Sequence, residues 1–212
     1  MRYLALTAAL LAALSIAHVA RADDNDDPYD RPGGYIGIGG SRSLEQMTNT
    51  VGDAYNPLGA QVGDSWGINA RAGYRFNKFI ATEVEYEWMK DFHMWAAHTA
   101  IGRAQLQTLT ANLKVVAPYR TLQPYFLAGF GASFVTLDST SPFISPDIAN
   151  GTFSARFGAG LDWYLSKNFL LNIGTEFVKN TAKVTPPPGF GLTGSGRGLD
   201  YLSFQAGFGY RF

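Results

Sequence analysis

The chain has 212 residues, with 17 basic and 17 acidic side chains and no cysteine. This charge balance provides no basic surface for nucleic acid or for an anionic lipid surface, and the absence of cysteine excludes a disulfide framework. Aromatic residues make up 14% of the chain and charged residues only 16%. A soluble domain is usually about one quarter charged, so the composition indicates an outer surface that faces something other than water.

The first 22 residues have the pattern of a secretory signal peptide. Arg2 supplies a positive start, residues 4–16 form a short apolar run, and Ala20 and Ala22 are the small residues that a signal peptidase needs. The apolar run is too short for a membrane-spanning helix. We therefore expect a cleaved signal peptide at 1–22, an acidic periplasmic N-terminal tail at 23–32 and a single barrel domain at 33–212.

Within the barrel domain the hydropathy alternates with a period of two residues, which is the period of a β-strand. From Trp66 to Phe76, apolar side chains at even positions alternate with polar or small ones at odd positions. These eleven residues match the length that a tilted strand needs to cross a bilayer, about nine to eleven. Alternating segments of this kind occur at 35–42, 66–76, 80–88, 108–117, 126–134, 153–163, 171–177 and 202–212.

The connections between these eight segments alternate in length. Short links are predicted at 77–78, 119–122 and 166–168, and long polar links at about 43–65, 90–103, 138–152 and 180–200. Short periplasmic turns and long extracellular loops are typical of transmembrane barrels, and an even strand count places both ends of the domain in the periplasm.

Because hydrocarbon offers no hydrogen bonds to a strand edge, a membrane-spanning sheet must close on itself. The predicted fold is therefore all-β: an eight-stranded, antiparallel, up-and-down transmembrane β-barrel. The alternative is a soluble sandwich or a lipocalin-like barrel, whose inner face would carry the larger apolar residues.

If the apolar faces contact lipid, ten charged residues point into the barrel. The basic ones are Arg71, Arg75, Lys114, Arg156 and Arg211, and the acidic ones are Glu83, Glu85, Glu87, Asp162 and Glu176. Charge inside a narrow lumen is costly unless it is paired, so equal numbers predict a network of ion pairs and hydrogen bonds. An interior of eight strands is filled largely by side chains, which favours a structural network over a gated ion path or a proton relay.

Several segments carry a family resemblance: GYRF at 73–76, EVEYEW at 83–88, QPYFLAGFGA at 123–132, FGAGLDWYLSKN at 157–168 and GFGYRF at 207–212. They resemble the OmpA/OmpX-type small outer-membrane barrels, the outer membrane protein β-barrel domain family. The resemblance covers most of 33–212 and implies a location in the outer membrane of a Gram-negative cell. Members of such families act as structural scaffolds, adhesins, serum-resistance factors or, in some cases, small channels.

The last strand looks like the assembly signal of that family, with Phe204, Phe208, Tyr210 and Phe212 on one face. The partners that this implies are the barrel-assembly machinery and periplasmic chaperones, with outer-membrane lipid and lipopolysaccharide around the finished barrel. Aromatic residues at the end of a strand also suit the interfacial girdle of a barrel, and the two interpretations are compatible.

An apolar patch is predicted around the second long link. It comprises Trp88, Met89, Phe92, Met94 and Trp95. These residues either anchor the barrel rim in the headgroup layer or form a recognition patch for a host or surface ligand. A third possibility, suggested by resemblance to OmpW-like barrels, is the mouth of a hydrophobic path.

No residue pattern indicates catalysis, a metal or a cofactor. Enzymes among the small outer-membrane barrels need a nucleophile and a base within reach, and the lipid A deacylases use a His-x-Ser pair on a strand. His93 and His98, the two histidines beyond the signal peptide, do not form such a pair. The leading hypothesis is a monomeric structural and surface-interaction barrel, and the alternative is a channel for small solutes or hydrophobic compounds.

Overall fold

The computed structural model describes residues 28–44, 61–62, 65–96, 99–139, 149–181, 183–184, 197–198 and 200–212. The predicted signal peptide and the acidic residues 23–27 lie outside the described residues. In the described part of the chain, no helix is long and apolar enough to cross a membrane.

Eight antiparallel strands form the wall of the barrel. They are β1 (Gly33–Leu44), β2 (Ser65–Arg75), β3 (Ile80–Ala96), β4 (Thr99–Val116), β5 (Leu122–Ser139), β6 (Ala149–Tyr164), β7 (Phe169–Asn180) and β8 (Tyr201–Arg211). Each strand pairs with its neighbours in the sequence. β1 also pairs with β8, from Tyr35 opposite Arg211 to Leu44 opposite Leu202, so the sheet closes and leaves no free edge between these strands. The predicted eight-stranded up-and-down barrel is confirmed.

The two ends of the barrel differ. At the end that we call the turn end, the connections span only 76–79, 117–121 and 165–168. Asn77 closes the first turn by accepting hydrogen bonds from the backbone nitrogens of Phe79 and Ile80 at 2.8 and 2.9 Å, and Ser166 accepts one from Phe169 at 3.1 Å. Short polar side chains often stabilise tight turns in this way. The opposite end, which carries the long links, is the loop end.

The inner and outer faces of the wall have opposite chemistry. Ile38, Phe126 and Phe208 are among the large apolar side chains exposed on the outer face, whereas Gln123 and Arg156 are completely buried on the inner face. A soluble barrel would place apolar residues inside and polar residues outside. The observed arrangement is the one that suits hydrocarbon outside and a polar lumen.

The predicted long link at 90–103 is wrong, because most of it is strand. β3 continues to Ala96 and β4 begins at Thr99, and the two strands pair along this extension. The register shifts between Met89 and Phe92 and again between Met94 and Trp95. A bulge adds a residue to one strand, which breaks the two-residue alternation and hides the strand from a pattern analysis.

The wall of the barrel is consequently uneven in height. β3, β4, β5 and β6 contain 17, 18, 18 and 16 residues, whereas β1, β2, β7 and β8 contain 12, 11, 12 and 11. The shorter strands have the length needed to cross a bilayer, about nine to eleven residues. The longer strands extend roughly 20 Å farther along the strand direction, at about 3.3 Å per residue.

Candidate functional site in the barrel lumen

Inner-face glycines make room in the lumen for long polar side chains. A Cβ atom at Gly158 would lie 2.6 Å from Cγ of Glu176, and one at Gly160 would lie 2.4 Å from the hydroxyl oxygen of Tyr125. Both distances are shorter than real carbon contacts, so a larger residue at either glycine would displace the facing side chain. The small residues of β6 therefore allow the polar groups of neighbouring strands to meet inside the barrel.

All ten charged residues assigned to the lumen are buried on the inner face. β2 contributes Arg71 and Arg75, β3 contributes Glu83, Glu85 and Glu87, and β4 contributes Lys114; Arg156 and Asp162 come from β6, Glu176 from β7 and Arg211 from β8. Because these strands surround the lumen, side chains that are distant in sequence face one another across it.

Arg156 is the centre of the largest ion-pair group. Its Nη1 atom lies 3.0 Å from a carboxylate oxygen of Glu85, and its Nη2 atom lies 3.0 Å from one of Glu87. Nη1 also forms an ion pair with Glu176. One guanidinium group, completely buried, thus joins carboxylates from β3 on one side of the lumen and β7 on the other.

Gln205 links this group to a second cation. Its amide nitrogen donates hydrogen bonds of 2.8 Å to both Glu85 and Glu176, while its amide oxygen accepts one of 2.8 Å from Arg71. Arg71 also donates to the amide oxygen of Asn172 at 2.8 Å. In the described part of the chain, Arg71 forms no ion pair within 4 Å and is held by amide oxygens instead.

Lys114 forms a separate group nearer the turn end. Its ammonium nitrogen lies 2.7 Å from Asp162 and 4.0 Å from Glu83, and 3.9 Å from the ring centre of Tyr125, which is cation–π geometry. The hydroxyl of Tyr35 donates to Glu83 at 2.8 Å. Carboxylates and aromatic rings thus enclose this single ammonium group.

The hydrogen-bond network continues toward the loop end. Glu87 accepts hydrogen bonds from Tyr201 at 2.8 Å and from Ser203 at 2.7 Å. Beyond them lies a cluster of small polar side chains on four strands, in mutual hydrogen-bonding contact: Thr108, Ser133, Ser154 and Asn180.

At the turn end, the segment before β1 closes the lumen. The carbonyl oxygen of Tyr29 accepts hydrogen bonds from Arg75 at 3.2 Å, from Gln123 at 3.1 Å and from Arg211 at 2.7 Å. Asp30 accepts one from Gln123 at 2.9 Å and lies 3.6 Å from Arg75. These two residues, assigned to a periplasmic tail in the sequence analysis, fold against the end of the barrel.

The ion pairs inside the lumen are not shared equally among the five basic residues. Lys114 and Arg156 together contact all five acidic residues, whereas Arg71, Arg75 and Arg211 form no ion pair with any of the five. The neutral members of the network were not predicted from the sequence. Asn172 and Gln205 occupy polar positions of their strands and could have been found from the alternation, but nothing in the pattern indicated Tyr29.

The predicted apolar patch in the second long link is not a single loop surface. Met89 is completely buried on the inner face, and Trp88 lies on the opposite face of β3. Phe92, Met94 and Trp95 belong to the extension of β3, where the two register shifts lie. The five residues therefore do not share one face, because alternation along a strand separates neighbouring side chains.

The four aromatic residues assigned to an assembly signal line the outer face of β8 and the end of the chain. Phe204, Phe208, Tyr210 and Phe212 are all exposed. The ring of Tyr210 lies 5.3 Å from that of Phe212 and 5.0 Å from that of Phe169, in edge-to-face arrangements. Together these rings form an aromatic surface at the turn end, where an interfacial girdle is expected.

A small cavity lies within the lumen. A cavity of about 20 Å³ lies toward the turn end, between Lys114, Asp162 and Arg211, which is room for about one water molecule. The described residues contain no group of three His, Cys, Asp or Glu side chains that could hold a metal ion. His93 lies in the extension of β3, and His98 lies outside the described residues.

Solved structures with a similar fold are known. Neisserial surface protein A superposes with a TM-score of 0.55 at 13% identity, over 85% of this chain and 97% of that protein. The outer membrane protein OprG from Pseudomonas aeruginosa gives a TM-score of 0.54 at 14% identity, over 88% and 99%. The outer membrane protein AlkL gives 0.53 at 15% identity, over 91% and 95%.

No curated protein matches the sequence significantly. The family model for the outer membrane protein beta-barrel domain matches residues 6–212, which is nearly the whole chain. The closed barrel with its apolar outer face agrees with that match and with a location in the outer membrane. The chain belongs to the outer membrane protein beta-barrel domain family.

Proposed function

We propose that this chain is a non-conducting structural barrel whose loop end serves surface interaction. The observation that carries the proposal is the closure of the lumen by Arg156, which binds carboxylates from opposite sides of the barrel. An ion that crosses this point must separate a completely buried cation from Glu85, Glu87 and Glu176. Breaking a buried ion pair is strongly unfavourable, so the closed state is favoured.

The remainder of the lumen supports the same proposal. Tyr29 and Asp30 lie across the turn end, and Lys114 pairs with Asp162 farther inside the lumen. The cavity beside Lys114 and Arg211 has room for about one water molecule. An open channel instead needs a continuous water path, such as the wide lumen of a larger barrel.

The uneven wall supports a role at the cell surface. β3 to β6 extend beyond the length needed to span a bilayer, and in the proposed orientation they project from the extracellular side. The extension of β3 contains Phe92, Met94 and Trp95, residue types that suit contact with an apolar or partly apolar ligand. We propose that these strand extensions and the adjoining links form the recognition surface.

A cysteine-labelling experiment tests the closed lumen directly, because the native chain contains no cysteine. Thr110 is buried on the inner face and its hydroxyl has no hydrogen-bond partner among the described residues, so we expect Thr110→Cys to leave the network intact. Lys78→Cys, in an exposed turn, is the matched control. A charged maleimide should label Lys78→Cys completely in folded protein and leave Thr110→Cys unlabelled until the protein is unfolded.

Labelling of both cysteines at similar rates in the folded protein would show that water fills the lumen. That result would contradict the structural proposal and favour the channel for small solutes or hydrophobic compounds.

We also propose that the chain reaches the outer membrane after cleavage of residues 1–22, through periplasmic chaperones and the barrel-assembly machinery. The exposed aromatic face of β8 supports this route. Phe212→Ala should reduce the fraction of protein in the SDS-resistant form that unfolds only on boiling, whereas Phe126→Ala, on the outer face of β5, should not. Equal effects of the two substitutions would indicate loss of stability without a specific role in assembly.

We propose no catalytic activity, cofactor or metal for this chain, and a monomeric state. Two features support the first part: the inner-face residues whose burial the structure describes include no histidine, and each lumen carboxylate already contacts a cation. Release of fatty acid from lipid A by the purified protein, at rates above those of a heat-unfolded sample, would contradict the proposal.

A further inference from the structure

Positive charge is concentrated at the turn end of the lumen. Arg75 and Arg31 lie close enough to Arg211 to repel its charge. Asp30, 3.6 Å from Arg75, is the only described carboxylate within ion-pair distance of any of these three guanidinium groups. Of these three neighbouring cations, only Arg75 has an acidic partner among the described residues.

Arg211 is also short of hydrogen-bond acceptors. It is buried, and its Nη1 atom donates to the carbonyl of Tyr29 and to the hydroxyl of Tyr164. Its Nε and Nη2 atoms, and the Nε atom of Arg31, are buried and have no partner in the described part of the chain. Leaving a buried charged donor without a hydrogen bond is costly. A bound acceptor in this region would therefore be stabilising.

The cavity beside Arg211 has the volume and the charge of a small anion site. Its volume is about 20 Å³, which suits a particle about the size of one water molecule. Its wall includes four basic side chains and a single acidic one, Asp162, which Lys114 already pairs. Guanidinium groups can only donate hydrogen bonds. A water molecule would accept some of these bonds but would leave the repulsion between the cations in place.

We infer that the turn end of the lumen binds one small monovalent anion of the halide class against Nε and Nη2 of Arg211. The bound anion accepts hydrogen bonds from these two donors. It also neutralises positive charge of the arginines that Asp30 does not balance. The site lies between the Lys114 group and the Tyr29–Asp30 closure, so it belongs to neither the central ion-pair group nor the loop end.

Anomalous diffraction from crystals grown in sodium bromide tests the site directly. The native protein should show a bromide peak within hydrogen-bonding distance of Nε or Nη2 of Arg211, and Arg211→Gln should lack that peak. An ordered water at this position with no anomalous signal would overturn the inference, as would bromide bound only to exposed basic residues.

A solution measurement covers the case in which Arg211→Gln does not assemble. Unfolding temperature in detergent is compared in sodium bromide and in sodium gluconate, whose anion is too large for the cavity, at equal ionic strength. Bromide should raise the unfolding temperature of the native protein until the site is saturated.

Arg211→Lys, which keeps the charge but loses two of three donor nitrogens, should reduce the effect. Arg42→Gln, exposed at the loop end, should retain it. Identical temperatures for the native protein in both salts would overturn the inference.

Discussion

At the scale of single residues, Arg156 forms more ion pairs than any other described residue of the lumen. Its guanidinium group is completely buried and contacts three carboxylates, two on β3 and one on β7. Desolvation makes each buried charge costly, and the mutual attraction offsets this cost only while the group is complete. The arrangement also fixes the relative position of two distant strands.

We expect Arg156→Gln to destabilise the barrel by about 3–5 kcal/mol, the range for removing one partner of a buried ion pair. The physical reason is that Glu85, Glu87 and Glu176 would remain close together without a cation. Urea titration of folded protein in detergent measures the change in the free energy of unfolding.

Two variants make this measurement specific. Lys179→Gln, at an exposed position of β7, should change the free energy of unfolding by less than about 0.5 kcal/mol, as is usual for surface substitutions. Adding Glu85→Gln to Arg156→Gln should recover part of the loss, because it removes one of the unpaired charges. Equal losses for Arg156→Gln and Lys179→Gln would show that the ion-pair group does not stabilise the fold.

At the scale of strands, the sequence predicts which face of a strand each residue occupies better than it predicts where the strand begins and ends. Alternation from Trp66 to Phe76 assigns each residue of β2 to a face, because any strand places successive side chains on opposite sides. The extension of β3 and β4 was missed because bulges after Met89 and Met94 break the alternation. Strand faces depend on local pattern, whereas strand ends also depend on the partner strand.

The same distinction applies to the candidate site. The inward position of Arg156 and Glu176 follows from alternation alone. Their contact depends on strand register and on the closeness of β6 and β7 in the closed barrel, neither of which a single strand reveals. The contact of Tyr29 with Arg211 could not be predicted either, since Tyr29 precedes the first alternating segment.

The outer face of β4 allows a test of depth in the membrane. Ala111 is exposed on the outer face of β4, five residues before the strand ends at Val116, and Ala117 is exposed just beyond that end. Ala111→Arg should cost about 2–4 kcal/mol and Ala117→Arg about 0–1 kcal/mol, because a charge is costly at the centre of the bilayer and tolerated near its interface. Urea titration after folding into lipid vesicles measures both. Equal costs at the two positions would contradict the membrane placement of β4.

At the scale of the whole molecule, strand pairing adapts the outside of the barrel to hydrocarbon, and polar side chains line its inside. The pairing of β1 with β8 removes the exposed strand edges, which a barrel in hydrocarbon requires. The polar network inside then extends from the carbonyl of Tyr29 at the turn end to the side chain of Asn180 near the loop end. The outer face thus suits the membrane, while the inner face carries the ion pairs and hydrogen bonds on which the proposed closed lumen rests.

Single-channel recording of the native protein in planar lipid bilayers tests the closed lumen most directly. Purified, folded protein is inserted into bilayers whose resistance without protein has been measured. Because the Arg156 group and the Tyr29–Asp30 segment lie across the lumen, we expect no steady open level and at most rare, small current events. A large, steady conductance from the unmodified protein would contradict this account.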